Sequence, residues 1–175
     1  MRDVTLLSIF EHHITQKYVK RSGMVHAIAV AYHAFELSKK YNVNVDLATK
    51  AAFLHDIGHY TWYRNGKWDY NLYKKNDIHA IKGAERSHKL LIRLGEHPEK
   101  AKKIALAILL HTDSYLPDGK LLLDPLQKVV AIADEMDEEP SGGHHYRQIE
   151  DEKAKKLIVM LDEKIEKELS SQDKF

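Results

Sequence analysis

The chain contains no cysteine among its 175 residues. This absence excludes disulfide bonds, thiolate zinc sites and cysteine nucleophiles. Histidine, aspartate and glutamate remain as the side chains that can hold a metal ion. The 12 histidines are the one unusual count in the composition.

The chain also lacks an excess of either charge and any long apolar run. Lys and Arg total 27 against 26 for Asp and Glu, so no basic field attracts nucleic acid or an anionic membrane. No apolar stretch approaches the roughly 20 residues that cross a bilayer, and the N-terminus has no signal-peptide core. We therefore expect a cytoplasmic protein that binds neither membranes nor DNA or RNA.

The length and the hydrophobic pattern predict one all-α domain over residues 1–175. A chain of this size with 43% hydrophobic residues suits a single core. Apolar residues recur at helical spacing along most of it, which predicts a bundle of about six or seven helices. The predicted helices cover 4–20, 24–40, 46–57, 78–94, 98–111, a segment from 124 onward, and the amphipathic C-terminal helix 150–170.

Within this pattern, Asp46 is predicted as the N-cap of its helix and Gly58 as the stop after it. The His55-Asp56 pair then belongs to the last turn of that helix. A His-Asp pair by itself is more typical of a capped helix end with a hydrogen-bonded histidine than of a functional site. Further polar residues at apolar positions elsewhere in the chain change that balance.

The segment 60–77 differs from the helices because it holds many aromatic residues and almost no aliphatic ones. Asn65-Gly66 is a strong signal for a type I′ hairpin turn, so we expect a short two-stranded ribbon. The rings either pack this ribbon onto the domain or include base-stacking residues, for which Trp62 and Trp68 are the candidates.

Six polar residues interrupt the apolar faces of the predicted helices. Buried imidazole and carboxylate groups are costly unless they are paired or liganded, so we expect each of these six side chains to have a partner. They are His26, His55, Asp56, His79, His111 and Asp134.

The segments around these residues resemble the HD superfamily of metal-dependent phosphohydrolases, of the HDIG type seen in His55-Asp56-Ile57-Gly58. The additional histidines resemble the binuclear branch of that superfamily. His111-Thr112 and Ala133-Asp134 are closest to the YqeK-like symmetrical diadenosine tetraphosphate hydrolases. The Gly-Tyr-Pro motif of cyclic dinucleotide phosphodiesterases is absent. The matching segments are 26–31, 54–58, 79–85, 108–112 and 131–134, within a motif core of 21–137.

The resemblance implies that the six side chains converge on one cavity and divide between two ions, with Asp56 bridging. The first ion would be held by His26, His55, Asp56 and Asp134. The second would be held by His79 and His111 together with Asp56. Mixed imidazole and carboxylate ligands suit Fe, Mn, Zn, Co or Ni better than Ca or Mg. Two such ions would activate a water molecule, in keeping with the absence of a serine elbow or a P-loop.

For the reaction itself, the resemblance implies a small-molecule phosphate substrate, and we expect a nucleotide. Asp56, His59 and Lys82 are the candidate catalytic residues. Arg147, in a segment 138–150 that we expect to be a mobile loop, is a candidate for substrate binding. We expect His88, His97, His144 and His145 to be exposed.

Two rival functions remain open at this stage. Some HD-fold proteins are mixed-valence di-iron oxygenases with a similar six-ligand pattern. A non-catalytic module that senses nucleotides is the rival from another class, although an intact ligand set argues against it. A homodimer is compatible with the sequence, which does not decide the oligomeric state.

Overall fold

The computed structural model describes residues 2–59, 63–64, 67–68, 71, 75, 77–113 and 121–173. Eight α-helices have their bounds within these ranges, which confirms the all-α prediction. They are α1 (Leu6–Glu11), α2 (His13–Ser22), α3 (Met24–Lys40), α4 (Val45–Leu54), α5 (His79–Leu94), α6 (Pro98–Leu109), α7 (Pro125–Asp137) and α8 (Asp151–Gln172). A 3-10 turn covers Gly143–Tyr146, and a two-stranded ribbon joins β1 (Tyr63–Arg64) to β2 (Lys67–Trp68).

Helices α3 and α4 form the centre of the bundle. All ten residues of α4 are buried, and α3 packs against α4, α7 and α8. The small residues Ala27, Ala31 and Ala34 of α3 are buried at helical spacing, which lets neighbouring helices approach closely. The metal-binding candidates lie at the ends of these central helices and of the helices around them.

The first predicted helix, 4–20, is two helices in the structure. His12 has extended backbone angles (φ −68°, ψ 137°) and ends α1. Its Nδ1 accepts a hydrogen bond from the Ile14 N–H at 3.2 Å, so the side chain caps α2. The apolar periodicity continues through the break, which is why the sequence pattern did not indicate it.

The bounds of α4 also differ from the prediction. Asn44 is the N-cap, with its side chain accepting from the Leu47 N–H at 3.0 Å. Asp46 is instead buried between Arg2 and Lys50. The helix ends at Leu54, so His55 and Asp56 lie in the turn that follows it rather than in its last turn.

Gly58 is required by a close approach rather than by a left-handed helix stop. A Cβ at this position would lie 2.0 Å from the His79 carbonyl oxygen and 2.2 Å from the Gly83 nitrogen. The turn after α4 therefore lies directly against the first turns of α5. This contact brings His79 next to the His55-Asp56 pair.

The ribbon between α4 and α5 is described only in part. Tyr63 pairs with Trp68 and Arg64 with Lys67 in antiparallel register, as expected for a hairpin. Asn65, Gly66 and Trp62 lie outside the described residues, and for Trp68 the description covers the backbone alone. Within the described ranges, no helix combines the length and apolar character that a membrane crossing needs.

The segment 138–150, expected to be a mobile loop, contains the 3-10 turn and packs against the start of α3. Gly23, the residue just before α3, is in close contact with this segment, since a Cβ at Gly23 would lie 3.0 Å from the His145 Cα. His97 is exposed as expected, whereas His88 and His145 are half-buried. His144 is buried, with 6% of its surface exposed, because its ring packs against that of His26.

Candidate metal centre

The six predicted residues converge in the interior of the bundle. His26 lies in the first turn of α3, the His55-Asp56 pair follows α4, and His79 begins α5. His111 lies two residues after the end of α6, and Asp134 lies in the last turns of α7. Each of the six is at least 92% buried, the most exposed being Asp134 at 8%.

The first group of ligand atoms surrounds one oxygen of Asp134. The Nε2 atoms of His26 and His55 are 3.1 Å apart and lie 3.0 and 3.1 Å from Asp134 Oδ1. Asp56 Oδ2 closes the group, at 3.1 Å from His55 Nε2 and 3.5 Å from His26 Nε2.

The second group lies on the other oxygen of the same Asp56 carboxylate. The Nε2 atoms of His79 and His111 are 3.2 Å apart, and each is 3.7 Å from Asp56 Oδ1. His59 Nε2 lies 3.1 Å from that oxygen, and its ring stacks on His79 with centroids 4.2 Å apart. Asp56 thus has one oxygen in each group.

Backbone carbonyls orient two of the histidines. His55 Nδ1 lies 2.6 Å from the Ala52 carbonyl oxygen, and His111 Nδ1 lies 2.6 Å from that of Ile108. A carbonyl oxygen only accepts hydrogen bonds, so each Nδ1 is the donor. When such a ring is neutral, its Nε2 carries no proton, and the lone pair on that nitrogen faces the other ligand atoms.

Carboxylates orient the other two histidines. His79 Nδ1 lies 2.7 and 2.8 Å from the two oxygens of Asp77, and His26 Nδ1 lies 2.8 Å from Asp137 Oδ2. Sequence reasoning did not assign Asp77 or Asp137 to the site. Their signal is weak: Asp77 also bonds the His79 N–H, like an ordinary helix cap, and Asp137 lies one helical turn after Asp134.

This arrangement fits the donor set of a divalent transition metal. Ligand atoms about 2.0–2.2 Å from a common ion lie roughly 3.0–3.5 Å from one another at the usual angles. The separations in the first group fall in or very near that range, and those in the second reach 3.7 Å. Among the residues that the structure describes, three sets of side chains have ligand atoms close enough to hold an ion: His26, His55 and Asp134; His55, Asp56 and His111; and Asp56, His59 and His79.

Electrostatics in the site favour ionised carboxylates. Burial raises the pKa of Asp56 and of Asp134, but hydrogen bonds and charges from neighbouring histidines outweigh it and leave both pKa values well below the usual range. Burial lowers the pKa of His55, but Asp56 and Asp134 outweigh burial and raise it well above 6.5. Burial and the charges of His55 and His79 lower the pKa of His111 to about 4.

The remaining predicted residues have different environments. His59 joins the second group at its more open side, with 18% of its side chain exposed. Lys82 lies exposed on α5, one turn after His79. The Arg147 guanidinium contacts Asp137 Oδ2, the same oxygen that accepts from His26.

One further histidine at the site was missed because it lies in a segment with no helical pattern. His145 Nδ1 donates to the Ser22 carbonyl oxygen at 2.7 Å and lies 3.9 Å from Asp56 Oδ2. Its ring centroid is 5.2 Å from that of His59. His145 and His59 therefore border the more open side of the Asp56 carboxylate.

Comparisons with known proteins agree with this geometry. Residues 23–139 match the HD domain family model. The Bacillus subtilis (strain 168) protein named "Putative phosphohydrolase YueE" is 65% identical over 171 residues, which cover 98% of this chain and 97% of that protein. No solved structure matches the chain. With the family match spanning the helices that carry all six convergent residues, the chain belongs to the HD-domain family.

Proposed function

We propose that this protein is a metal-dependent phosphohydrolase that cleaves a phosphoester or phosphoanhydride bond with an activated water. The observation that carries the proposal is the convergence of four imidazole Nε2 atoms on the carboxylates of Asp56 and Asp134. Because all four Nδ1 atoms bond to acceptors, the Nε2 atoms face one another and the carboxylates, and each Nε2 offers a lone pair to a cation once it carries no proton. The name of the Bacillus subtilis relative also favours hydrolysis.

We further propose two ion sites that share Asp56. The first would use His26, His55, Asp134 and Asp56 Oδ2, and the second His79, His111 and Asp56 Oδ1. Nitrogen and oxygen ligands in this mixture suit Fe, Mn, Zn, Co or Ni. Two such ions, when bound, would lower the pKa of a water molecule and supply positive charge for the oxygens on phosphorus.

The catalytic roles proposed for the chain's own residues follow from their exposure. His59 is more exposed than the four convergent histidines, and this exposure supports the role we propose for its imidazole, which is to contact a bound phosphate and protonate the leaving oxygen. Lys82, one turn into α5, adds positive charge for the phosphate oxygens. Asp56 orients both halves of the site through its two oxygens.

We propose a nucleotide as the substrate, on the strength of the aromatic residues in segment 60–77. Stacking a base on an aromatic side chain contributes about 1–3 kcal/mol. Trp62→Ala or Trp68→Ala should therefore raise KM for a nucleotide about tenfold or more, with turnover of bis(p-nitrophenyl) phosphate nearly unchanged. Parallel losses on both substrates would instead assign these rings to packing and remove the support for a nucleotide.

The decisive experiment combines metal analysis with a phosphoester assay. The purified protein should contain a transition metal and release p-nitrophenol from bis(p-nitrophenyl) phosphate when Mn²⁺ is added, and Asp56→Asn, which changes the carboxylate shared by both groups, should lose both properties. A nucleotide screen with phosphate release as the readout then identifies the substrate.

The same preparation separates the rival functions. Iron content together with oxygen uptake on adding candidate substrates would identify a di-iron oxygenase. Nucleotide binding without turnover in the metal-loaded protein would identify a sensing module. Either result would replace the hydrolase assignment.

A further inference from the structure

The two carboxylates that orient metal-site histidines come from very different places in the chain. Asp77 lies two residues before His79 and bonds both its backbone N–H and its ring. Asp137 lies 111 residues after His26. The orientation of His79 is therefore local, whereas that of His26 depends on how α7 and the segment after it pack on α3.

Asp137 also lies where a carboxylate is not favoured. It is the last residue of α7, and a helix C-terminus carries partial negative charge. Glu138 and Glu139 follow it directly, and Asp134 lies one turn before it. Negative charges this close repel one another, so holding Asp137 against His26 requires a compensating cation.

Arg147 supplies that cation. Its guanidinium contacts Asp137 Oδ2, and the same oxygen accepts from His26 Nδ1 at 2.8 Å. Arg147 also lies near Glu139, with 3.6 Å between Nε and Oε1.

The turn before Arg147 also contacts the His26 imidazole. Gly142 has a φ of +72°, which favours glycine, and the chain then turns through residues 143–146. This turn places the His144 ring against His26, with centroids 4.5 Å apart. His144 is itself held by the Glu139 N–H, which donates to its Nδ1 at 2.9 Å.

We infer that Arg147 is a positioning residue that fixes Asp137 against His26 and thereby sets the metal affinity of the His26, His55 and Asp134 group. This role differs from direct substrate binding. It rests on the metal-binding part of the proposed function, and it does not require that the substrate be a nucleotide or that the reaction be hydrolysis.

The test is a Co²⁺ titration of the metal-free protein, followed by visible absorption and by calorimetry. Arg147→Gln should weaken one class of Co²⁺ site about 10-fold to 100-fold, the usual effect of losing an outer-shell partner, and leave the other class unchanged. Asp77→Asn is the matched variant for the second group, because Asp77 orients His79. It should weaken the class of Co²⁺ site that Arg147→Gln leaves unchanged. Glu139→Gln, which removes only the longer contact of Arg147, should behave like the parent.

A double-mutant cycle separates positioning from a general effect on folding. If Arg147 acts through Asp137, adding Arg147→Gln to Asp137→Asn should weaken Co²⁺ binding no further. Additive losses would overturn the inference, as would an unchanged Co²⁺ affinity in Arg147→Gln accompanied by a raised KM. If the parent itself binds no Co²⁺, the metal-binding proposal fails before the role of Arg147 is tested.

Discussion

Gly58 and Gly83 lie in backbone contact, and this contact joins the His55-Asp56 turn to helix α5. A Cβ at Gly58 would lie 2.2 Å from the Gly83 nitrogen and 2.7 Å from its Cα. Backbone atoms cannot move away as a flexible side chain can, so any residue larger than glycine at position 58 must separate the two segments. Because His79 begins α5, that separation would also displace His79 from Asp56.

Gly58→Ala should therefore lower the free energy of unfolding by at least about 3 kcal/mol, the upper end of usual overpacking costs. It should also weaken metal binding through His79. Gly83→Ala is the matched control, because its Cβ would meet Ile108 Cγ2 at 3.2 Å and Gly58 N at 3.3 Å. Urea unfolding of both variants measures the difference, and equal stability of Gly58→Ala and the parent would contradict the contact.

Asp56→Asn should reduce metal binding more broadly than His111→Ala. Asp56 places one oxygen in each group of ligand atoms, whereas His111 Nε2 lies near His79 and one Asp56 oxygen. Removing a shared negative charge should weaken both of the proposed ion sites, and removing one neutral imidazole should weaken one of them. Metal content measured by mass spectrometry after dialysis tests this. Equal stoichiometry in Asp56→Asn and the parent would disprove the bridging role.

Metal binding at pH 7 should release protons. The pKa of His55 in the metal-free site is raised well above 6.5 by Asp56 and Asp134, against the opposing effect of burial. A metal ion must displace that proton, so metal affinity falls as the pH is lowered through the raised pKa. Calorimetry in buffers with different ionisation enthalpies measures the release. A heat of binding that does not depend on the buffer would contradict the prediction.

The same pKa shift has a consequence for the stability of the metal-free protein. A histidine with a raised pKa in the folded state contributes stability that is fully present below about pH 6.5. That contribution is lost as the pH rises through the folded-state pKa. His111, with its pKa lowered to about 4, acts in the opposite sense between about pH 4 and 6.5. Melting temperatures of the metal-free protein should therefore fall above neutral pH, and added metal should remove this decline.

Activity should decline below about pH 6, because histidine ligands must be neutral to bind a metal. The metal-loaded protein should lose metal over the same pH range in which it loses turnover. A flat activity profile down to pH 5 would argue against histidine-held metals as the catalysts.

Lys50 should contribute strongly to folding stability although it lies outside the candidate metal centre. Its ammonium group is 1% exposed and lies 3.0 Å from Asp46 Oδ2 and 2.5 Å from Glu96 Oε2. Lys50→Ala removes the cation that pairs with the buried carboxylates of Asp46 and Glu96. Removing one partner of a buried ion pair typically costs about 3–5 kcal/mol. Chemical unfolding should show this loss. Lys89→Ala, which breaks the exposed Glu85–Lys89 pair, should show no measurable change.

The sequence was sufficient to predict the helical class and the six convergent residues. Periodicity of 3.6 residues indicates helices, and a histidine or carboxylate at an apolar position needs a partner whatever the exact packing. The need for a partner does not depend on the exact helix bounds. The HD resemblance supplied their arrangement, since the residues themselves do not state which helices are neighbours.

The helix bounds were predicted wrongly where two local structures fit the same apolar periodicity. The break at His12 leaves the apolar spacing intact, and Asn44 and Asp46 are both good N-caps. Asp46 is buried instead because it pairs with Lys50, one helical turn away, and with Arg2. The Arg2 contact joins residues 44 positions apart, so local sequence does not show it.

Only the tertiary structure decided which partners hold the site in place. Asp137 and Arg147 are ordinary charged residues in the sequence, and His144 and His145 lie in a segment with no helical pattern. Their contacts with His26, Ser22 and one another arise because the turn after α7 packs onto the start of α3. Hydrogen bonds act over about 3 Å between atoms, so residues more than 100 positions apart acquire these roles only when packing brings them together.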